Sequence, residues 1–236
     1  MYFFYTPNIA SKFYTLNEAE SEHCLRVLRL AAGDTVHLTD GKGGLYAARI
    51  VNAHPRKCEV EVVETQQNYG QRNYFLHIAI APTKNAERYE WFLEKATEIG
   101  IDRITPLLCE HSERKQVKHE RSQKVITAAM KQSLAAYHPD LQALTKFADF
   151  VMQPFDGTKC IAHCYPTARI PLQTAARSAS RVLVLIGAEG DFSPAEIALA
   201  RQQGYIEVSL GNSRLRTETA GIVACNTIQL TMDNEQ

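Results

Sequence analysis

No surplus of either charge marks this sequence. Lys and Arg together number 26 among 236 residues, and Asp and Glu also number 26. The total charge therefore advertises no polyanionic partner, although affinity for a phosphate backbone depends on local basic surface and stays open. No stretch approaches the roughly eighteen apolar residues of a membrane span. The start, "MYFFYTPNIASKFY", has no basic opening, no apolar run of signal length and no small-residue cleavage site, which predicts a cytoplasmic protein. Cysteines are too few and too scattered for a stapled fold: Cys24, Cys58, Cys109, Cys160, Cys164 and Cys225 lie in a chain long enough to bury its own core, so reduced thiols are expected. Their one cluster, "KCIAHCY", reads as a strand with Cys160 and Cys164 on one face and His163 on the other; its candidate ligands diverge, and no metal is expected.

Two more absences concern "VLVLIGAEGDFSPAEI" (Val182 to Ile197), a buried strand, a glycine turn and a helix start. A dinucleotide fingerprint needs G-x-G-x-x-G, but counting from Gly187 the second glycine position holds Glu189 and the third holds Phe192. A phosphate-cradling loop needs G-x-x-x-x-G-K-[ST], and neither its second glycine nor its lysine is present. Glu189 also sets a carboxylate where a pyrophosphate would meet amide donors and the helix dipole. A phosphate ligand is disfavoured. Carboxylates with backbone amides suit a ligand with ribose hydroxyls, an adenine edge and a positive centre, and S-adenosyl-L-methionine has all three; Gly187 and Gly190 serve equally as plain turn glycines. Ser193 as N-cap, Pro194 at the first helical position and Glu196 closing a capping box predict a helix from Ser193 to about Gln203.

What is present divides the chain in two. Residues 1–70 look β-rich, with "DTVHLTDGKGGLYAARIVNAHPRKCEVEVVETQ" supplying alternating apolar runs broken by turn residues. One helix interrupts, "NEAESEHCLRVLRL", with Asn17 as N-cap, Glu20 three residues on, and Leu25 and Leu28 on one face. Polar "QQNYGQRN" (Gln66 to Asn73) reads as a linker. Residues 71–236 then alternate strands and helices, which predicts a mostly parallel sheet covered on both faces. "YFLHIAIAP" is a strand, "NAERYEWFLEKATEIG" a helix with Tyr89, Phe92, Leu93, Ala96 and Ile99 at helical spacing, and a long helix runs through "SQKVITAAMKQSLAAY".

A second loop, "VSLGNSRLRTETAG" (Val208 to Gly221), leaves the next strand through a glycine turn and sets Arg214, Arg216, Glu218 and Thr219 before an apolar helix. Two successive strand ends with glycines and polar groups describe a ligand crevice. Here a resemblance enters: "IGAEGDFSPAEI" with "LGNSRLRTETA" resembles the paired C-terminal signature of the RsmE family of SPOUT methyltransferases, which methylate N3 of a uridine in 16S ribosomal RNA. "HCLRVLRLAAGD" and "DGKGGLYAARI" are similar to that family's N-terminal PUA-like RNA-binding barrel, and "EKATEIGIDRITPLLCEHSERK" and "AMKQSLAAYHPDL" to its middle motifs. The usual pattern has Pro-Glu-Gly-Gly in the turn and Arg-Ile-Leu-Arg in the second loop; this chain has Ala188-Glu189-Gly190-Asp191 and Ser213-Arg214-Leu215-Arg216.

The resemblance implies an α/β SPOUT domain with a trefoil knot at 71–236 and a PUA-like β-barrel at 1–70. It also implies S-adenosyl-L-methionine as cofactor, a homodimer, and 16S rRNA or the small ribosomal subunit as partner. Ile186, Gly187, Glu189, Gly190, Leu210, Gly211, Leu215, Thr219 and Ala220 would bind the cofactor. Displacement at the sulfonium requires loss of the uracil N3 proton, and the charge that develops on the ring oxygens calls for a nearby cation. Arg216 is expected in that role, with Glu218 or Glu189 positioning cofactor or accepting a proton; the alternative is a helix-start ion pair between Arg216 and Glu218. His23, Arg26, Arg29, Arg114, Lys115 and Gln132 would contact RNA, and a base must leave its stack to reach the methyl donor. The competing readings are a SPOUT enzyme with another acceptor, such as a ribose 2′-hydroxyl, and a non-enzymatic RNA-binding assembly protein.

Overall fold

A computed structural model of the chain describes residues 3–233. Contacts divide it into two units, one running to Gln71 and adding Thr127–His138, the other comprising Arg72–Ile126 and the chain from Pro139 onward. In the first, β1 (Phe3–Tyr5), β2 (Phe13–Thr15), α1 (Glu18–Glu22), β3 (Thr35–Thr39), β4 (Leu45–Asn52) and β5 (Glu59–Gln66) form a five-stranded sheet ordered β1-β3-β4-β5-β2 around one helix. Pairing is antiparallel except between β1 and β3. Alternation along the strands sends Val36, Leu38, Ala48, Ile50 and Val60 into a core with Phe4 and Leu16.

Asn17 caps α1 as expected, its Oδ1 accepting the Glu20 amide at 2.9 Å, but Glu20 turns its carboxylate to Lys131 Nζ at 2.6 and 2.8 Å. The expected helix is also shorter. It passes into a π turn, His23–Val27, and ends where Arg29 takes φ +57. The carbonyls of His23 and Cys24 accept the amides of Leu28 and Leu30, and Leu25 and Leu28 pack on the core as their spacing predicts. Thr127–His138 belongs to this unit, through bonds such as Gly43 N–H to the Ala136 carbonyl and His138 N–H to the Gly41 carbonyl, both 2.8 Å.

The chain continues through β6 (Phe75–Ile80), α2 (Ala86–Ile99), β7 (Arg103–Leu108), α3 (His119–Gln132), β8 (Asp140–Leu141), β9 (Thr145–Lys146), α4 (Phe147–Val151), β10 (Thr158–Ala162), β11 (Ile170–Pro171), α5 (Leu172–Ala176), β12 (Arg181–Ile186), α6 (Pro194–Gln202), β13 (Ile206–Ser209) and α7 (Thr217–Asp233). These strands form an eight-stranded sheet ordered β11-β13-β10-β12-β6-β7-β8, with β9 on β7, and every pairing is parallel. β12, "RVLVLI", shows why the strands read as unbroken apolar runs: Val182, Val184 and Ile186 pack among Phe92 and Ile228 on one face, while Leu183 and Leu185 pack among Phe192 and Ile197 on the other. α3 stops at Gln132, five residues before the end that its apolar pattern predicts. Leu134 takes φ +57 there, with its amide bonded to the Lys131 carbonyl and the Ala135 amide to the Met130 carbonyl, a Schellman closure without glycine.

Candidate active site

Four loops leave the carboxyl ends of neighbouring parallel strands β6, β12, β10 and β13, where open α/β sheets seat ligands. The loops after β12 and β13 wall a cavity of about 390 Å³. In the first, Ser193 caps α6: its Oγ accepts the Glu196 amide at 3.3 Å and Glu196 Oε2 accepts the Ser193 amide at 2.8 Å, the full capping box. Asp191, where the resembled pattern has glycine, holds the left-handed backbone with φ +66. Its side chain stabilises that strained position by local hydrogen bonding. Oδ1 accepts the Phe192 amide and Oδ2 the Cys164 amide, both at 2.8 Å, which ties the turn to the end of β10. Glu189 Oε1 accepts the Lys84 amide of the β6–α2 loop at 2.8 Å.

The second loop turns at Gly211, whose φ of +121 suits glycine alone, and exposes Ser213, Arg214 and Arg216 before α7 begins. Glu218 sits in the first turn of α7, where the helix dipole favours a carboxylate, and it is 7% exposed. Its Oε1 faces Arg88 Nε of α2 at 3.8 Å. The ion pair at this helix start therefore joins Glu218 to Arg88, not to Arg216. The Arg216 carbonyl accepts the Ala220 amide at 2.7 Å while its side chain stays exposed on the cavity wall.

Most of the expected site residues come together. Ile186, Gly187 and Glu189 line the cavity from the first loop; Leu210, Gly211 and Leu215 from the second; Arg216, Glu218 and Ala220 around the start of α7. Gly190 and Thr219 do not line it. Gly190 packs against His111, whose Cβ lies 2.9 Å from where a Gly190 side chain would begin, and Thr219 opens with Trp91 on a neighbouring groove. Arg88, in a helix read for its apolar face, and Arg169 also line the wall and had no signal in the sequence; His163, read there only as a diverging metal ligand, and Thr217, within the second motif, join them. His163 is buried with Nε2 2.9 Å from Glu207 Oε2. Burial would raise the Glu207 pKa, but hydrogen bonds from Thr167, Arg201 and His163 outweigh it and hold the carboxyl below its ordinary range.

β10 ends at Ala162, so Cys164 lies beyond the strand and is exposed, whereas burial pushes the Cys160 thiol up to about 12. Among the described residues no group of three or more His, Cys, Asp and Glu side chains could hold a metal ion, and no helix is long and apolar enough to cross a membrane.

The residues expected to meet RNA belong to both units. In the first unit the His23 ring stands edge-on to Phe4, Arg26 pairs with Glu22 one turn away, Arg29 is exposed at the left-handed stop, and Gln132 is exposed on the segment that packs there. In the second unit Lys115 is exposed. Arg114 is half-buried and engaged: its Nε donates to the Thr83 carbonyl at 2.9 Å and Nη2 to the Lys84 carbonyl at 2.7 Å.

Comparison with known proteins adds a separate line of argument. A family model described as RNA methyltransferase domain matches residues 71–229, and one described as RNA methyltransferase PUA domain matches residues 16–63. The chain is 30% identical over 227 residues to the ribosomal RNA small subunit methyltransferase E of a Synechocystis species, covering 93% of this chain and 74% of that one. It resembles the crystal structure of a probable rRNA-methyltransferase from Porphyromonas gingivalis, with 40% identity, a TM-score of 0.93 and complete coverage of both chains. It is likewise similar to a Legionella pneumophila methyltransferase solved with bound cofactor SAM, with 26% identity, a TM-score of 0.85, and 97% and 96% of the two chains covered.

Proposed function

From the premise that this chain belongs to the RNA methyltransferase family of the ribosomal RNA small subunit methyltransferase E proteins, we propose that it transfers a methyl group from S-adenosyl-L-methionine to N3 of a uridine in 16S ribosomal RNA. The observation that carries this reading is one cavity walled by both glycine loops, with a carboxylate buried in its wall at Glu218.

The residues present fit the cofactor. Ile186, Leu210, Leu215 and Ala220 offer apolar surface for an adenine, Glu189 and Glu218 offer carboxylates to ribose hydroxyls and a positive centre, and the volume lies in the range of about 300–1,000 Å³ typical of small-molecule sites. When bound, it supplies an electrophilic methyl group on a sulfonium. Arg216 then stabilises the negative charge on the uracil carbonyl oxygens, an electrostatic contribution strongest where water is excluded. Glu218, held between Arg88 and the amino end of α7, orients the cofactor or accepts the N3 proton. His23, Arg26, Arg29, Lys115 and Gln132 contact the RNA. The N-terminal unit serves as the PUA-like RNA-binding barrel, and the protein acts in the cytoplasm as a homodimer.

The test is to incubate the protein and labelled cofactor with small ribosomal subunits and with naked 16S rRNA, then identify the modified nucleoside by mass spectrometry. Label on N3 of uridine is expected; label on a ribose 2′-oxygen, or none on either substrate, refutes the assignment.

A further inference from the structure

The segment "CEHSER" (Cys109 to Arg114) leaves β7 as a tight turn, with the Ser112 Oγ accepting the Cys109 amide at 2.9 Å and the Ser112 amide donating to the Cys109 carbonyl at 3.1 Å. From this turn three groups reach two segments, the one after β12, which walls the cavity, and the loop between β6 and α2. The Glu110 amide donates to Glu196 Oε1 at 2.9 Å, the same carboxylate that closes the capping box of α6. His111 Nδ1 lies 3.0 Å from the Gly190 carbonyl and 3.1 Å from the Asp191 carbonyl; both oxygens only accept, so this nitrogen carries the proton. Arg114 donates to the Thr83 and Lys84 carbonyls, and the amide of that same Lys84 holds Glu189 Oε1.

We propose that this loop is a bracket that sets affinity for the cofactor, with Arg114 and His111 as positioning residues: Arg114 fixes Glu189 through the Lys84 peptide, and His111 fixes the Gly190–Asp191 backbone. The inference rests on the reading of the cavity as a cofactor site. Two features separate Arg114 from a phosphate contact. Two of its five N–H donors are bound to carbonyls in a half-buried position, and its neighbour Glu113 carries a carboxylate that pairs with Lys84 Nζ at 2.7 Å. The geometry also explains why Gly190 sits beside the cavity rather than in its wall: the glycine is the surface on which His111 rests, and a Cβ there would meet the His111 Cβ at 2.9 Å.

The full chain is tested by calorimetry with S-adenosyl-L-methionine and by a salt series of binding to a 16S rRNA fragment. Arg114→Ala is expected to weaken cofactor binding by about tenfold or more, the loss of charge-assisted hydrogen bonds, with the slope of RNA affinity against salt unchanged. Arg114→Lys, which keeps one donor in place, is expected to fall between the two, and His111→Ala to weaken cofactor binding with RNA affinity intact. The decisive readout is the cycle with Glu189→Ala: because Arg114 acts through Glu189, removing both costs no more cofactor affinity than removing Glu189 alone, whereas independent structural roles add. Cofactor affinity within twofold of the native value in Arg114→Ala, additive losses in the cycle, or a salt slope reduced by about one phosphate contact overturns the bracket. A native chain that gives no heat with the cofactor overturns the cofactor reading itself.

Discussion

Asp191 offers the sharpest test of how the glycine turn is held, because its backbone and its side chain make opposed contributions that substitutions separate. The φ of +66 costs a residue with a Cβ about 1–2 kcal/mol relative to the right-handed region. Against this, the carboxylate accepts two amides at 2.8 Å, each worth about 1 kcal/mol net in a partly exposed setting. Asp191→Ala loses both bonds while the strained φ, present in the native chain as well, is unchanged, so about 2 kcal/mol is expected to go. Asp191→Gly loses the bonds but relieves the backbone, at an added unfolded-state entropy of about 0.5–1 kcal/mol, for a net loss of about 0.5–2 kcal/mol. Asp191→Asn keeps left-handed tolerance and one carbonyl acceptor and loses about 1 kcal/mol. Urea unfolding followed through the single tryptophan, Trp91, reads the series; with a slope of about 1–3 kcal/mol per molar, the alanine variant shifts the midpoint by about 0.7–2 M. Alanine as the most damaging of the three is the signature. Alanine no worse than glycine would show that the left-handed backbone is not what the aspartate sustains, and the reasoning fails.

Three further outcomes follow from single features of the second unit. Arg216→Ala is expected to lower turnover by about 10²–10³, the range for removing one transition-state donor, with RNA affinity changed little; a loss confined to substrate affinity with turnover intact removes Arg216 from the electrostatic role. Gly221→Ala in α7 gains about 1 kcal/mol of helix propensity, but its Cβ would lie 2.6 Å from Phe92 Cε2 and 2.9 Å from Ile80 Cδ1. Overpacking costs about 1–3 kcal/mol, so a lower melting temperature is expected, and an unchanged or raised one refutes the tight α2–α7 contact. His77 is held 2.8 Å from Thr105 Oγ1, and burial, aided by Arg103, lowers its pKa to about 3. A depressed histidine leaves stability complete above its unfolded pKa near 6.5 and loses it as pH falls toward 3, by up to about 1.4 kcal/mol per pH unit. His77→Gln is expected to flatten that limb between pH 6 and 4, measured against the native chain by urea midpoints at each pH.

The elements that could be read from sequence are those whose signals are local. β12 and α6 follow from an apolar run and from a capping box complete within four residues, and Asn17 announces α1 in the same way. Helix ends were harder wherever a non-glycine residue closed them. Leu134 stops α3 at a left-handed position usually held by glycine, and Arg29 does the same after the π turn, so an apolar pattern that continues past them predicts too much helix. The grouping of Thr127–His138 with the N-terminal unit rests on backbone bonds across about a hundred residues of chain, and such partners leave no periodicity to read.

The site divides along the same line. Gly187, Glu189, Gly211 and Glu218 stand in two short motifs at strand ends, and those motifs supply most of the cavity wall. What the sequence could not convey is that three carboxylates of the first motif are each held by a main-chain group from elsewhere: Glu189 by the Lys84 amide, Asp191 by the Cys164 amide, Glu196 by the Glu110 amide. A backbone amide has no residue type, so these partners have no letter in the sequence. Charged residues nearby have tertiary partners of the same kind, as Arg114 shows. The family resemblance implies an RNA contact for it, and two of its donors end on the carbonyls of the loop that holds Glu189. Where a cation's hydrogen bonds end is set by tertiary geometry, which composition does not show.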